Sequence, residues 1–118
     1  MEWRYILTPA AERDFARLDG SQKVLVLKAL DKLMTNPLPR DRGGYGQPLG
    51  NKGAAALAGF LKVKLKGPGL RIVYRLIEVE GVSCVLVIGA REDSQVYEQA
   101  TSRLDEFRHW CESEGLGL

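Results

Sequence analysis

The residues of this chain best suited to chemistry are cations that stand close together in its second half. In residues 61–66 apolar side chains and lysines alternate strictly, so a strand would place the lysines on one face and the apolar residues on the other. No obvious acid, metal ligand or nucleophile belongs to this cationic face, which is either solvated or meets a polyanion. The set comprises Lys62, Lys64, Lys66, Arg71, Arg75 and Arg91, followed by Tyr97.

Cleavage of an RNA phosphodiester by its own 2′-hydroxyl is a reaction that such a set could catalyse. It requires a base for that hydroxyl, cations for the charged transition state and an acid for the leaving 5′-oxygen, and lysine and arginine can supply all three. A free lysine, with a pKa near ~10.4, is a poor base at pH 7. Neighbouring cations favour the neutral amine, which leaves a modest base assisted by strong electrostatic stabilisation.

Composition bounds the kind of protein that carries these residues. With 118 residues, of which 45% are hydrophobic, the chain has the size of one domain. Its formal net charge is only +2, so total charge does not indicate a nucleic-acid binder, and the distribution has to decide. The segment from Gly50 to Val73 holds five basic residues and no acidic one, whereas Glu92 to Glu114 holds seven acids.

The two cysteines, Cys84 and Cys111, have neither metal-ligand spacing nor the density of a secreted disulfide scaffold. There is no signal-like start and no apolar run near the ~20 residues that a membrane span needs. The sequence therefore predicts a cytoplasmic protein that does not enter a membrane and that uses no cofactor and no metal.

The predicted order of elements is β-α-α-β-β-β-α, an α+β fold with a mostly antiparallel sheet on an N-terminal helical hairpin. Thr8 and Pro9 are expected to begin the first helix, and Asp93 or Ser94 is expected to cap the last one. Turn signals at 67–69 and 80–81 join the last three strands as antiparallel hairpins, and residues 36–59 form a long glycine-rich loop.

Apolar periodicity predicts which helical residues face the core. In the second helix these are expected at Val24, Leu27, Leu30, Leu33 and Met34. One continuous last helix is predicted to bury Val96, Ala100, Leu104, Phe107 and Cys111, and the terminal 115–118 are expected to fray.

Three segments of the second half resemble the bacterial RelE toxin family. They are Phe60 to Leu65, Leu70 to Tyr74 and Val87 to Tyr97, and the opening Tyr5 to Ala11 agrees as well. The resemblance implies one domain over 1–118, with a core at about 3–104 and a C-terminal helical extension over 105–118. It also implies a microbial-ribonuclease-like fold. The activity implied is cleavage of mRNA in the ribosomal A site, with contacts to 16S rRNA, and a cognate antitoxin would control it.

Carried over by position, the resemblance implies a role for each residue of the candidate site. Lys64 would be the general base and Arg91 the general acid. Lys62 and Arg71 would stabilise the scissile phosphate, and Tyr97 would stack on a codon nucleotide. Lys66 and Arg75 are expected to be solvated or to contact RNA phosphates.

Other functions fit the same sequence. A solvated strand face would explain the lysine row taken alone. A non-enzymatic ParE-like toxin of the same fold could block a target such as gyrase. A catalytically inactive regulatory module is also compatible with every apolar position in the chain. The antitoxin is expected to dock on an exposed apolar side of the sheet or to displace the last helix.

Overall fold

The computed structural model describes residues 2–49, 55–65, 69–90 and 92–117. Within them the chain forms five strands and four α-helices, together with short 3-10 turns at Arg40–Arg42, Ala55–Leu57 and Glu78–Glu80. The elements are β1 (Arg4–Leu7), α1 (Pro9–Ala16), α2 (Gly20–Leu33), β2 (Gln47–Pro48), β3 (Phe60–Lys64), β4 (Arg71–Ile77), β5 (Val82–Ala90), α3 (Asp93–Ser102) and α4 (Leu104–Ser113).

The strands form one sheet in the order β1-β5-β4-β3-β2. β1 runs parallel to β5, and all other neighbours are antiparallel. The predicted α+β class with a mostly antiparallel sheet is confirmed. The additional strand β2 lies within the segment predicted as a long loop and forms an edge by pairing with β3.

Each face of the sheet is covered by a pair of helices. α1 and α2 pack on one face around Leu61, Ile72 and Tyr74, and α3 and α4 pack on the other around Phe60 and Val73. The predicted exposed apolar side of the sheet is therefore not found among the described strand residues, because each helical pair buries the apolar residues of the face beneath it.

The first helix begins where the sequence predicts, whereas the second helix turns a different side towards the core. Thr8 caps α1 by accepting a hydrogen bond from the amide of Ala11 at 3.2 Å. In α2 the buried residues are Val26, Leu30 and Leu33, whereas the side chains of Val24 and Leu27 are exposed. The predicted stripe was wrong at Val24 and Leu27 because residues 24–27 are all apolar, so their periodicity does not define one face.

The predicted last helix is two helices, α3 and α4, which meet at Arg103 with φ −100° and ψ 0°. The guanidinium of Arg103 donates to both carboxylate oxygens of Asp14, at 2.7 and 2.9 Å, and to the carbonyl of Leu86 at 2.9 Å. These bonds hold the junction of the two helices against α1 and β5. Phe107 and Cys111 of α4 are buried as expected.

The end of the chain is packed as far as Leu116. The amide of Leu116 donates to the carbonyl of Cys111 at 2.8 Å, and Gly115 takes the positive φ of 70° that ends many helices. Leu116 also packs against the core cluster of α3 and α4. The expectation of a frayed tail was wrong up to this residue, and Leu118 lies outside the described residues.

Among the described residues, every helix is too short or too polar to span a lipid bilayer.

Candidate active site

The β3–β4 hairpin gathers three of the predicted cations on the sheet face that carries α3 and α4. In β3, Lys62 and Lys64 alternate with residues whose side chains point to the other face of the sheet. Arg71 of β4 lies directly across from Lys64 in the antiparallel register. Two like charges facing each other on neighbouring strands are unfavourable by roughly 0.2–1 kcal/mol. The arrangement therefore favours an anion close to these side chains.

Asp93 provides that anion within the protein. Its Oδ1 accepts a hydrogen bond from Nζ of Lys62 at 2.8 Å and a second from Nε of Arg71 at 2.9 Å. Arg71 also donates to the carbonyl of Gly69 at 2.7 Å. The side chains of the two cations are only 9% and 12% exposed, whereas that of Asp93 is 57% exposed, so the carboxylate lies on the solvent side of both.

The electrostatic consequence appears on Asp93 itself. Hydrogen bonds from Lys62 and then from Arg71 lower the pKa of the Asp93 carboxyl below its ordinary value, against the opposing effect of burial. The carboxylate is therefore ionised at neutral pH and neutralises part of the cationic face.

The position of Asp93 corrects two expectations. The face was predicted to carry no acid, and Asp93 or Ser94 was predicted to cap the last helix. The N-cap of α3 is Glu92, which makes no capping side-chain bond, and Asp93 is the first helical residue. Asp93 stands one position past the N-cap, and its carboxylate binds Lys62 and Arg71. An acid two residues after Arg91, just past the end of a strand, was the available signal.

Lys64 differs from Lys62 in being exposed. Its side chain makes no hydrogen bond or ion pair with any other residue that the structure describes. Lys62, by contrast, is buried to 7% exposure beneath the start of α3, which corrects the picture of a solvated lysine row. Among the described cations of this cluster, Lys64 is thus the one that is accessible to a ligand.

Tyr97 lies one helical turn after Asp93 on α3, so both side chains project from the same side of that helix. It is half-buried and packs against the core cluster beneath α3 and α4. This position fixes the ring on the Asp93 side of α3 while leaving part of it accessible.

Arg75 is not brought to this cluster. It lies four residues along β4 from Arg71, a separation of roughly 13 Å in a strand. Its guanidinium lies over the ring of Phe60, 5.4 Å from the centroid, and donates to the carbonyl of Ala58 at 3.2 Å. These contacts point to a packing role for Arg75.

Two of the predicted site residues, Arg91 and Lys66, lie outside the described residues. The residue before Arg91 is Ala90, whose backbone pairs with that of Arg71 at the end of β5. Among the residues that are described, no group of three or more His, Cys, Asp or Glu side chains could hold a metal ion.

A groove with a volume of about 450 Å³ lies between β3 and α2, and Lys62 and Lys64 form part of its lining. Apolar side chains of α2 and β3 form its walls, and Lys32 and Arg40 add positive charge. Nζ of Lys32 lies 5.3 Å from the ring centroid of Tyr45. The lining residues are Leu25, Ala29, Lys32, Leu33, Arg40, Tyr45, Gln47 and the β3 segment 62–65.

Comparison with known sequences relates the chain to bacterial toxins. A family model described as the ParE toxin of the type II toxin–antitoxin system parDE matches residues 5–95. A RelE-like toxin protein of Escherichia coli is 40% identical over 98 residues, which cover 80% of this chain and 88% of that protein. The mRNA interferase toxin RelE of Escherichia coli K12 is 42% identical over 43 residues, which cover 36% of this chain and 45% of that toxin.

Comparison with solved structures relates the fold to the same group. The free form of a mutant Escherichia coli toxin RelE superposes with a TM-score of 0.67 at 23% identity, covering 87% of this chain and 98% of that one. The toxin–antitoxin complex RelBE2 of Mycobacterium tuberculosis gives a TM-score of 0.59 at 22% identity, covering 77% and 94%. At these identities the likeness establishes the fold.

Proposed function

Since this chain belongs to the RelE/ParE family of toxins of type II toxin–antitoxin systems, we propose that it is an endoribonuclease that cleaves mRNA. The observation that carries the proposal is the accessible Lys64 directly across the hairpin from Arg71, with Lys62 on the same face. Two similar proteins bear the name mRNA interferase, although the match spans less than half of their length.

The proposed chemistry uses the 2′-hydroxyl of the substrate as nucleophile, so it calls for no metal ion. Lys64, in its neutral form, takes the proton of that hydroxyl, and the oxygen attacks the adjacent phosphorus. Lys62 and Arg71 stabilise the negative charge on the phosphate oxygens in the transition state. The bond to the 5′-oxygen breaks, Arg91 protonates that oxygen, and a 2′,3′-cyclic phosphate remains.

Tyr97 is proposed to orient the substrate. A nucleobase stacked on its exposed side would hold the 2′-hydroxyl in line with the phosphate, and such stacking contributes about 1–3 kcal/mol per base. Because the ring packs against the core, the orientation of the base would be fixed by the protein rather than by solvent.

The proposed substrate is mRNA on the ribosome, cut at the A-site codon in the cytoplasm, with the toxin held by contacts to 16S rRNA. The small set of catalytic groups supports this choice. A modest base gains most from a substrate whose geometry is already fixed, and a codon held in the ribosomal decoding site is such a substrate.

The proposed partner is a cognate antitoxin. The structural neighbours include a toxin–antitoxin complex of Mycobacterium tuberculosis and the RelBE complex of Escherichia coli. The groove between α2 and β3 suits an amphipathic antitoxin segment, because its apolar walls can bury an apolar side and Lys32 and Arg40 can pair with acidic residues. This groove replaces the exposed sheet face as the expected docking surface.

A second function remains in view, namely a non-enzymatic toxin that blocks a target such as gyrase. The family model that matches is described as a ParE toxin. The pairing of Lys62 and Arg71 with Asp93 would also suit a face that does not act on RNA.

Cleavage mapping on translating ribosomes tests the proposal. Purified toxin should cut mRNA at the A-site codon and leave a 2′,3′-cyclic phosphate or 3′-phosphate end. A transcript with 2′-deoxyribose at the scissile position should resist cleavage, and excess EDTA with ribosomes kept intact should not prevent cleavage of normal mRNA. Absence of cleavage together with inhibition of gyrase would assign the second function instead.

A further inference from the structure

We propose that Asp93 is an internal competitor for the phosphate of the ligand, so that a phosphate group must displace its carboxylate to reach Lys62 and Arg71. The inference rests on the proposed function for the identity of the ligand. It concerns a residue to which neither the family resemblance nor the proposed mechanism gives a role.

The contacts of Asp93 are those that a phosphodiester oxygen would make. One anionic oxygen accepts charge-assisted hydrogen bonds from Lys62 and Arg71, at 2.8 and 2.9 Å. An RNA phosphate bound to the same two donors would need the same place. The carboxylate and the phosphate therefore exclude each other at these donors.

The exposure of the three side chains indicates that a ligand from solvent reaches the carboxylate before it reaches the two cations. Lys62 and Arg71 are nearly covered, and the largely exposed Asp93 carboxylate lies between them and solvent. A ligand arriving from solvent meets Asp93 first. Lys64 is exposed and can hold the ligand by its charge while the carboxylate moves.

The position of Asp93 in α3 permits that movement at low cost. The residue stands in the first turn, and its carboxylate does not cap the helix. A change of its side-chain rotamer would break the two ion pairs without breaking a backbone hydrogen bond of α3. The displaced carboxylate would stay near the positive end of the helix dipole, where an acid is favoured.

The lowered pKa of Asp93 agrees with this geometry. The carboxylate remains charged throughout the neutral range, so its release depends on competition by another anion and not on protonation. If the two ion pairs are open about a tenth of the time, the apparent affinity for phosphate falls about tenfold.

Binding of inorganic phosphate tests the competition without using RNA. The Nε resonance of Arg71 in nitrogen-15 NMR would report the titration, with the full chain of wild type and of Asp93→Asn. We expect Asp93→Asn to bind phosphate about tenfold more tightly than wild type. Glu98→Gln is the matched control, because it removes one exposed negative charge from the same helix, and it should change the affinity by less than about twofold.

Asp93→Ser is a second variant in case the asparagine distorts α3, since serine suits the start of a helix. Equal phosphate affinity of wild type and both Asp93 variants would overturn the inference, and so would the absence of phosphate binding to all of them.

A separate arm keeps this inference distinct from the proposed function. Each variant is also assayed for mRNA cleavage on ribosomes. Tighter phosphate binding without any cleavage by wild type or variants would leave Asp93 as a competitor and reject the ribonuclease. Cleavage by wild type with unchanged phosphate affinity in Asp93→Asn would reject the competition alone.

Discussion

Arg103 forms a forked ion pair with Asp14, in which one guanidinium reaches both oxygens of one carboxylate. The pair joins the break between α3 and α4 to α1. Asp14 also accepts the amide of Ile88 in β5 at 2.9 Å, so the carboxylate connects three elements. With side chains 19% and 8% exposed, the pair is shielded from solvent on both sides.

Arg103→Ala should therefore destabilise the protein strongly. It leaves the carboxylate of Asp14 buried without its cation, and breaking a buried ion pair in this way costs about 3–5 kcal/mol. Urea denaturation should show this loss in the free energy of unfolding. Arg108→Ala is the control, because the exposed Arg108 lies 4.0 Å from Asp105, and it should cost less than about 0.5 kcal/mol. Equal losses in the two variants would contradict a structural role for the forked pair.

Local patterns predicted much of the fold, while contacts between distant residues were not predictable. The alternation in 61–66 correctly indicated that Lys62 and Lys64 share a face. Thr8 before Pro9 correctly indicated a helix start, because capping depends on neighbours in sequence. By contrast, Asp93 is 31 positions from Lys62, and Arg103 is 89 positions from Asp14. A periodic pattern along the sequence does not indicate contacts between residues that are so far apart.

In the candidate site, too, local patterns were predictable and contacts between distant elements were not. The strand period determined which side chains point together, but the layer that covers them depends on how α3 packs. The lysine row taken alone would be explained by a solvated face, but Lys62 is buried. The strand period alone does not determine whether Arg71 shares a face with the lysines, and its register opposite Lys64 shows that it does. The roles of Lys64, Arg91 and Tyr97 stay predictions.

The thiol of Cys84 should make stability fall in alkaline solution. Burial, followed by the neighbouring Cys111, raises the pKa of Cys84 from 9.0 to about 12. Between these values the folded state holds the proton that the unfolded state has lost, so the contribution is complete below pH 9 and is lost as pH rises towards 12. Urea denaturation as a function of pH should show a steeper fall for wild type than for Cys84→Ala. Parallel curves would contradict the shift.

The groove between α2 and β3 should be required for binding of the antitoxin. Leu25→Asp places a charge on its apolar wall and should weaken the complex at least about tenfold, because an unpaired buried charge is unfavourable at an interface. Isothermal titration calorimetry with the purified antitoxin would measure the change. Val79→Asp is the control, since Val79 is 90% exposed and does not line the groove. Unchanged affinity in Leu25→Asp would place the antitoxin elsewhere.

Lys64 should contribute to the rate of cleavage rather than to binding. If it is the general base, Lys64→Ala should lower the single-turnover rate on ribosomes by at least ~10²-fold, the lower end of what a positioned base supplies. Arg91→Ala should produce a similar loss if Arg91 is the acid. Ribosome affinity, measured in parallel by pelleting, should change little in either variant, because one phosphate contact is a small part of a large interface.

Lys28→Ala provides the comparison that separates chemistry from charge. Lys28 is an exposed lysine of α2, on the helical layer opposite the candidate site, and its loss removes the same charge as the loss of Lys64. Its cleavage rate should stay within about twofold of wild type. A Lys64→Ala variant that cleaves at the wild-type rate would exclude Lys64 as the base. A variant whose cleavage falls only in proportion to its ribosome affinity would make the cationic face a docking surface, and the non-enzymatic function would then be the better one.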